Sequence, residues 1–160
     1  MRYLTGKEAK DAEKFIRVAA EEAKKSKCKK SQRGVVIVKN GKIIGRGHNK
    51  VTIEMYCDPC IRENIKDNSR VELCSAIHAE QMAIIDALKQ GKNLEGSRMF
   101  HIKVKNNKIG FSEDVSCTVC SRIVLESGIS EFVLLHRKGF ALYGAEEFNK
   151  KSFEHFLDNK

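Results

Sequence analysis

Ala9, Ala12, Phe15, Ile16, Ala19 and Ala23 recur at helical spacing with charged residues between them, which predicts a first amphipathic helix. Thr5 followed by Glu8 reads as its capping box, and the lysine cluster between Lys24 and Lys30 marks its end. The β-branched run Gly34-Val35-Val36-Ile37-Val38 and the run Lys42-Ile43-Ile44-Gly45 flank Asn40-Gly41, the strongest short hairpin signal in the chain. From His48 to Ser75 the pattern gives way to a polar, irregular stretch holding Cys57, Cys60 and Cys74. Loops of that length are usually functional or held in place by something. Apolar periodicity returns near Ile77 with Met82, Ala83, Ile84, Ile85, Ala87 and Leu88, a second helix stopped by Gly91. Arg98 to Val104 reads as a strand, Asn106-Asn107 as a turn, and a third helix runs from Cys117 to Gly128. A short buried strand at Glu131–Leu135 precedes a last helix with Phe148, Phe153 and Phe156 as its core anchors, and Phe140–Tyr143 is a candidate for one further strand. Helices alternating with strands predict an α/β layered domain, and residues 1–160 contain no repeat or linker that would divide it.

Composition narrows the class. With 41% apolar and 32% charged residues the chain is neither disordered nor short of soluble surface, and its 160 residues are enough to bury a core without disulfide staples. No stretch approaches the ~20 apolar residues of a membrane span, and residues 1–14 lack an apolar signal segment. These features predict a cytoplasmic protein with no membrane partner, whose six cysteines stay reduced and serve metal binding or catalysis. The net charge of +9 suits an anionic partner, either nucleic acid or the phosphate of a nucleotide; a lysine-rich solvated surface explains it equally well.

The chemistry concentrates in two places. His78-Ala79-Glu80 stands at one predicted helix start and Cys117-Thr118-Val119-Cys120 at another. A Cys-x-x-Cys pair turns both sulfurs onto one face, where they can grip a single zinc ion, and the positive end of a helix dipole favours thiolates. Adding His78 makes three protein ligands, which leaves the fourth tetrahedral position open: the pattern of a catalytic rather than a structural site. Water at that position becomes nucleophilic near neutral pH, and Glu80, two residues along from the histidine, is placed to handle protons without joining the metal. His-x-Glu followed by Cys-x-x-Cys is the known signature of zinc nucleobase deaminases.

In its ordered motifs the chain resembles the cytidine and deoxycytidylate deaminase superfamily, and most closely its deoxycytidylate branch. The likeness runs from Cys28 to Ile129 through Gly34–Gly41, Gly47-His48-Asn49, Glu72–Gln81, Cys117–Cys120 and Gly128-Ile129. The resemblance implies a three-layer α/β/α sandwich with a mixed, about five-stranded sheet. It implies zinc held by His78, Cys117 and Cys120, and hydrolysis of a cytosine nucleotide, deoxycytidylate to deoxyuridylate and ammonia, with Glu80 as the proton shuttle. It also implies substrate hydrogen bonding by Asn49 and assembly of the chain with copies of itself. The sequence departs from the family pattern at Ser116, where proline is usual and where serine serves as a helix cap, at Met82, and at Lys50-Val51-Thr52-Ile53-Glu54. The last of these bears on the choice of nucleotide rather than on the reaction.

Some members of the deoxycytidylate branch carry a second, structural zinc, with cysteines at places similar to Cys28, Cys57 and Cys74 among its ligands. Cys28, Cys57, Cys60 and Cys74 would make such a closed site and pin the long loop; ordinary buried or loop thiols are the alternative. A zinc-binding nucleic-acid module pairing the two Cys-x-x-Cys motifs is the rival class. Their separation far exceeds the ~15–20 residues of a zinc ribbon, and that reading leaves His78 and Glu80 without a role. Within the deaminases, cytidine, guanine, or a base in RNA or single-stranded DNA are the alternative substrates. Aromatic content of 7%, with Tyr56 alone between His48 and Glu80, favours a free nucleotide over a polynucleotide. His48 reads either as a pocket residue or as a solvated loop position, His101 and His136 as packing or surface residues, and Arg46 and Arg62 as phosphate contacts or solvated charges.

Overall fold

The computed structural model of the chain describes residues 1–65, 70–113, 115 and 117–158. Its elements follow the order β1 (Arg2–Tyr3), α1 (Gly6–Ala23), β2 (Gln32–Lys39), β3 (Lys42–His48), β4 (Lys50–Val51), β5 (Ala76–Ile77), α2 (Ala79–Lys89), β6 (Arg98–Lys105), β7 (Lys108–Gly110), α3 (Thr118–Glu126), β8 (Glu131–His136), β9 (Gly139–Gly144) and α4 (Ala145–Asp158). The main sheet runs β1-β9-β8-β6-β2-β3, with β7 added to β6. Strands β6 and β8 are parallel and the other pairs antiparallel, so the sheet is mixed, as expected. Five of its strands carry the layer; β1 and β7 are short additions that periodicity could not reveal.

The period-two alternation of strands divides the core. Val35 and Ile37 of β2 join Met99, Phe132 and Leu134 against α2, α3 and α4, whereas Val36 and Val38 join Phe100, Ile102 and Val104 against α1. The result is the three-layer α/β/α sandwich. Asn40 and Gly41 both take positive φ, the conformation their hairpin turn demands. Thr5 caps α1 by backbone position, but no capping box forms, because Glu8 pairs with Arg2 at 2.7 and 2.8 Å. Of the three expected anchors of α4, Phe148 is fully buried and stacks on Phe132 at 3.9 Å between ring centroids. Phe153 is exposed beneath the Arg122 guanidinium and Phe156 is half-buried; Ser152 takes the inward position instead. Ser116 lies outside the described residues, and Cys117 is the N-cap of α3.

Two features of the fold hold the functional region in place. The long loop closes on itself through β4 and β5, with Lys50 opposite Ile77 and Val51 opposite Ala76, and Thr52 N–H donates to the Ser75 carbonyl at 3.0 Å. Helix α2 lies directly on β3 at Gly45 and Gly47. A Cβ on Gly47 would sit 2.3 Å from Ala83 N and 2.5 Å from Ala79 O, and one on Gly45 2.6 Å from Ala83 O. Backbone atoms cannot yield as side-chain ends do. Gly47→Ala is therefore expected to displace α2 or unfold the protein, at a cost of about 3 kcal/mol or more. Chemical denaturation of the variant beside the wild type measures that loss directly.

Candidate active site

Local structure aims each reactive group inward. His78 is the N-cap of α2, and the Gln81 side chain accepts its backbone N–H at 3.0 Å. Its Nδ1 lies 3.1 Å from Cys120 Sγ. Cys117 occupies the N-cap of α3 and Cys120 its first turn, both buried. Among the described residues the donor atoms of His78, Cys117 and Cys120 all come within 4.8 Å of one another. One imidazole nitrogen and two sulfurs, drawn from two helix N-termini, are a donor set that suits zinc, and three protein ligands leave a coordination position for another molecule.

The three groups share protons closely. The hydrogen bond from the Cys120 thiol, with those from His78 and the Cys120 backbone, brings Cys117 down to about 5 although burial opposes it. Hydrogen bonds to Cys117 and Cys74 raise His78 to about 10 against burial. Hydrogen bonding to Cys117, burial and the nearby Glu80 together keep the Cys120 thiol protonated well above its ordinary range. A zinc ion taken up here competes with the protons on His78 and Cys120.

Glu80, in the first turn of α2, is 5% exposed and hydrogen-bonded to Cys120. It faces a cleft of about 620 Å³ whose wall includes His78, Cys117, Asn49, His101 and Arg33. Asn49 reaches this wall, but its amide holds the chain together: Oδ1 accepts the Arg33 N–H at 2.8 Å, and Nδ2 donates to the Ser31 carbonyl at 2.8 Å. Those two bonds clamp the end of β3 to the start of β2. His48 does not line the cleft; its Nδ1 lies 2.9 Å from the carboxylate of buried Glu22. Burial works against ionisation of Glu22, yet hydrogen bonds from Lys25 and His48 outweigh it and hold the carboxyl below its ordinary value.

His101 and Arg33 are the cleft residues that motif reading passes over. The register pairs Arg33 with Lys103 and Val35 with His101, so all four share the face on which α2 packs. Burial brings His101 down to about 4, with Glu80 acting the other way, and its ring is neutral at ordinary pH. A polar residue on the core face of a strand, in step with buried Met99, was the available signal. Arg62 and Lys30 also line the cleft, whereas Arg46 is exposed elsewhere and donates its backbone N–H to Asp86. His136 packs between Tyr3 and Tyr143, whose hydroxyls lie 3.2 and 3.3 Å from its two nitrogens.

Cys28, Cys57, Cys60 and Cys74 all border the same cleft. Burial raises the Cys57 thiol, helped by the proximity of Cys28, Cys74 and Cys60. Cys57 and Cys60 face each other across a backbone bridge, and Cys57 Sγ lies 3.1 Å from the Ser75 hydroxyl. Cys74 turns towards the first cluster: its hydrogen bond with His78 brings it down to about 7 despite burial.

A mixed α/β/α sandwich with a histidine and two cysteines gathered beside a buried glutamate defines a metal-site protein with a ligand cleft. A family model described as the cytidine and deoxycytidylate deaminase zinc-binding region matches residues 9–136, and the chain belongs to that family. It is 28% identical over 122 residues to a deoxycytidylate deaminase of Saccharomyces cerevisiae, covering 74% of this chain and 35% of that one. To a deoxycytidylate deaminase of Mycobacterium phage D29 it is 26% identical over 129 residues, covering 76% and 91%. The chain thus spans about a third of the yeast relative and nearly all of the phage one. In fold it is similar to a dCMP deaminase of cyanophage S-TIM5 crystallised with dCMP and dUMP (TM-score 0.55, 24% identity, 81% of this chain and 82% of that one). It is also similar to the cytidine deaminase of Burkholderia pseudomallei (TM-score 0.59, 19% identity, 85% and 94%). Among the described residues no helix is long and apolar enough to cross a membrane.

Proposed function

We propose that residues 1–160 form one zinc-dependent deaminase domain that hydrolyses deoxycytidylate to deoxyuridylate and ammonia. The observation that carries this reading is the convergence of His78, Cys117 and Cys120 at the cleft, with Glu80 hydrogen-bonded to Cys120. His78, Cys117 and Cys120 would hold the metal. Zinc, when bound, supplies the Lewis acidity that makes water nucleophilic near neutral pH. Glu80 takes a proton from the attacking water and delivers it to the pyrimidine ring nitrogen; a C–O bond forms at the amino-bearing carbon. Glu80 then passes the second proton to the amine as the C–N bond breaks and ammonia leaves. Burial beside Cys120 and on the cleft wall holds the carboxylate where the reacting groups meet.

Arg33, Arg62, Lys30 and Lys103 on the cleft wall make it attractive to a phosphate. The names of the deoxycytidylate relatives favour the same nucleotide. Ammonia release from deoxycytidylate by the zinc-loaded protein, with cytidine alongside, tests the reading. Turnover of deoxycytidylate is expected, and zinc-bound protein inert on both compounds would overturn it. A base in a single strand is the second reading, favoured by Tyr56 and Phe111, both exposed at the cleft. Single-stranded DNA and RNA in the same assay separate the two.

The cysteines at the cleft extend the proposal to a second, structural zinc on Cys28, Cys57, Cys60 and Cys74, supported by their common place on the cleft wall and the influence of the other three on the Cys57 thiol, although among the described residues only His78, Cys117 and Cys120 bring their donor atoms within 4.8 Å of one another. Two zinc ions per chain are expected by elemental analysis, falling to one in Cys60→Ser. One ion per wild-type chain would remove the structural site and leave the catalytic one untouched. Self-association fits the apolar side chains that α2 and α3 expose at Ile85, Leu88 and Ile123.

A further inference from the structure

His101 is costly where it stands. Across the sheet its neighbours are Val35 and Leu134, and its ring centroid lies 6.1 Å from that of Phe132. Among the described residues its Nδ1 has no hydrogen-bond partner and no contact with solvent. A buried polar atom left in that condition destabilises a protein by about 1–3 kcal/mol, which valine or leucine at the same place would avoid. The other nitrogen gives the reason for tolerating it. Nε2 lies 3.9 Å from Glu80 Oε1, with both side chains almost wholly out of water.

We propose that His101 is a positioning residue for Glu80, directing its Nε2 proton at the carboxylate and fixing the orientation in which Glu80 meets the substrate. This rests on the deaminase reading, in which Glu80 carries the protons. A neutral imidazole has one N–H. On Nδ1 that proton would face surroundings without an acceptor among the described residues; on Nε2 it faces a carboxylate oxygen. A neutral donor restrains Glu80 without adding a charge to the cleft. The separation exceeds a hydrogen bond, and contacts of this kind commonly tighten when substrate binds.

Two measurements on the zinc-loaded protein test the inference. Long-range proton–nitrogen NMR of the histidine side chains is expected to show His101 as the Nε2–H tautomer; the Nδ1–H tautomer overturns the proposal. In steady-state kinetics on deoxycytidylate, His101→Leu is expected to lower kcat by about 10- to 100-fold with KM within about threefold of wild type. His101→Gln, whose side-chain amide can present an N–H from nearly the place of Nε2, is expected to recover most of that loss. Zinc content and unfolding midpoint of each variant identify a merely structural defect. Wild-type kcat in His101→Leu overturns the proposal, as does His101→Gln no better than His101→Leu. Wild-type protein inert on every cytosine compound would instead defeat the deaminase reading, and the tautomer would still decide whether His101 addresses Glu80.

Discussion

Glu80→Gln is expected to lower deoxycytidylate turnover by about 10³- to 10⁴-fold while the protein keeps its zinc and its fold. The substitution replaces one carboxylate oxygen with an amide nitrogen and changes volume hardly at all. What it removes is the capacity to accept a proton and give it back. Glu80 is hydrogen-bonded to Cys120 but is not one of the three clustered donors, so zinc content is expected to stay at the wild-type value. Stability is expected to be equal or slightly higher, because a buried carboxylate gives way to a neutral amide. KM should change little, since the loss falls on the transition state rather than on substrate binding. Loss of zinc from the variant would make the carboxylate a ligand, and retained turnover would move the proton transfer to another group.

Cys120→Ser is expected to cost at least about 100-fold in zinc affinity, more than the loss of an outer partner of a metal ligand usually brings, and to abolish activity with it. A hydroxyl is close in size to a thiol but a far poorer donor to zinc. The position has a further duty. Cys120 meets His78 at 3.1 Å and hydrogen-bonds to Cys117 and Glu80, so it is where α2 and α3 are joined. Treating the wild type with a chelator should lower both activity and unfolding midpoint, and restoring zinc should recover both. The variant should show the low midpoint from the start and respond little to added zinc. Wild-type zinc affinity in Cys120→Ser, read by competition with a metallochromic dye, would move the metal elsewhere.

How much of this could be read along the chain depends on the range of each signal. The hairpin at Asn40-Gly41, the stop at Gly91 and the helix starts at His78 and Cys117 depend on a few neighbouring residues, and all appear in the structure. The ordered motifs likewise announced the α/β/α layers and the family. What escaped depends on partners distant in sequence. The bonds of the Asn49 amide with Arg33 and Ser31 follow from where β3 ends beside β2. His48 finds Glu22 on α1, and His101 finds Glu80 because β6 lies under α2. Helical spacing points Phe153 to the core, yet the inward stripe of α4 passes through Phe148 and Ser152. The base of the loop between His48 and Ser75 is fastened by the β4–β5 pair, a pairing that periodicity does not announce.

The close seat of α2 on β3 separates two things that an engineer would wish to vary independently. Where a helix rests on side chains, each substitution beneath it moves the helix. At Gly45 and Gly47 it rests on bare backbone, so the height of α2 above the sheet at these two places is set by main-chain contact. Tyr56, Ile61 and Leu73 line another part of the cleft wall and lie outside that seat. A library confined to those three positions can change which nucleotide is admitted and leave the reacting end as it is.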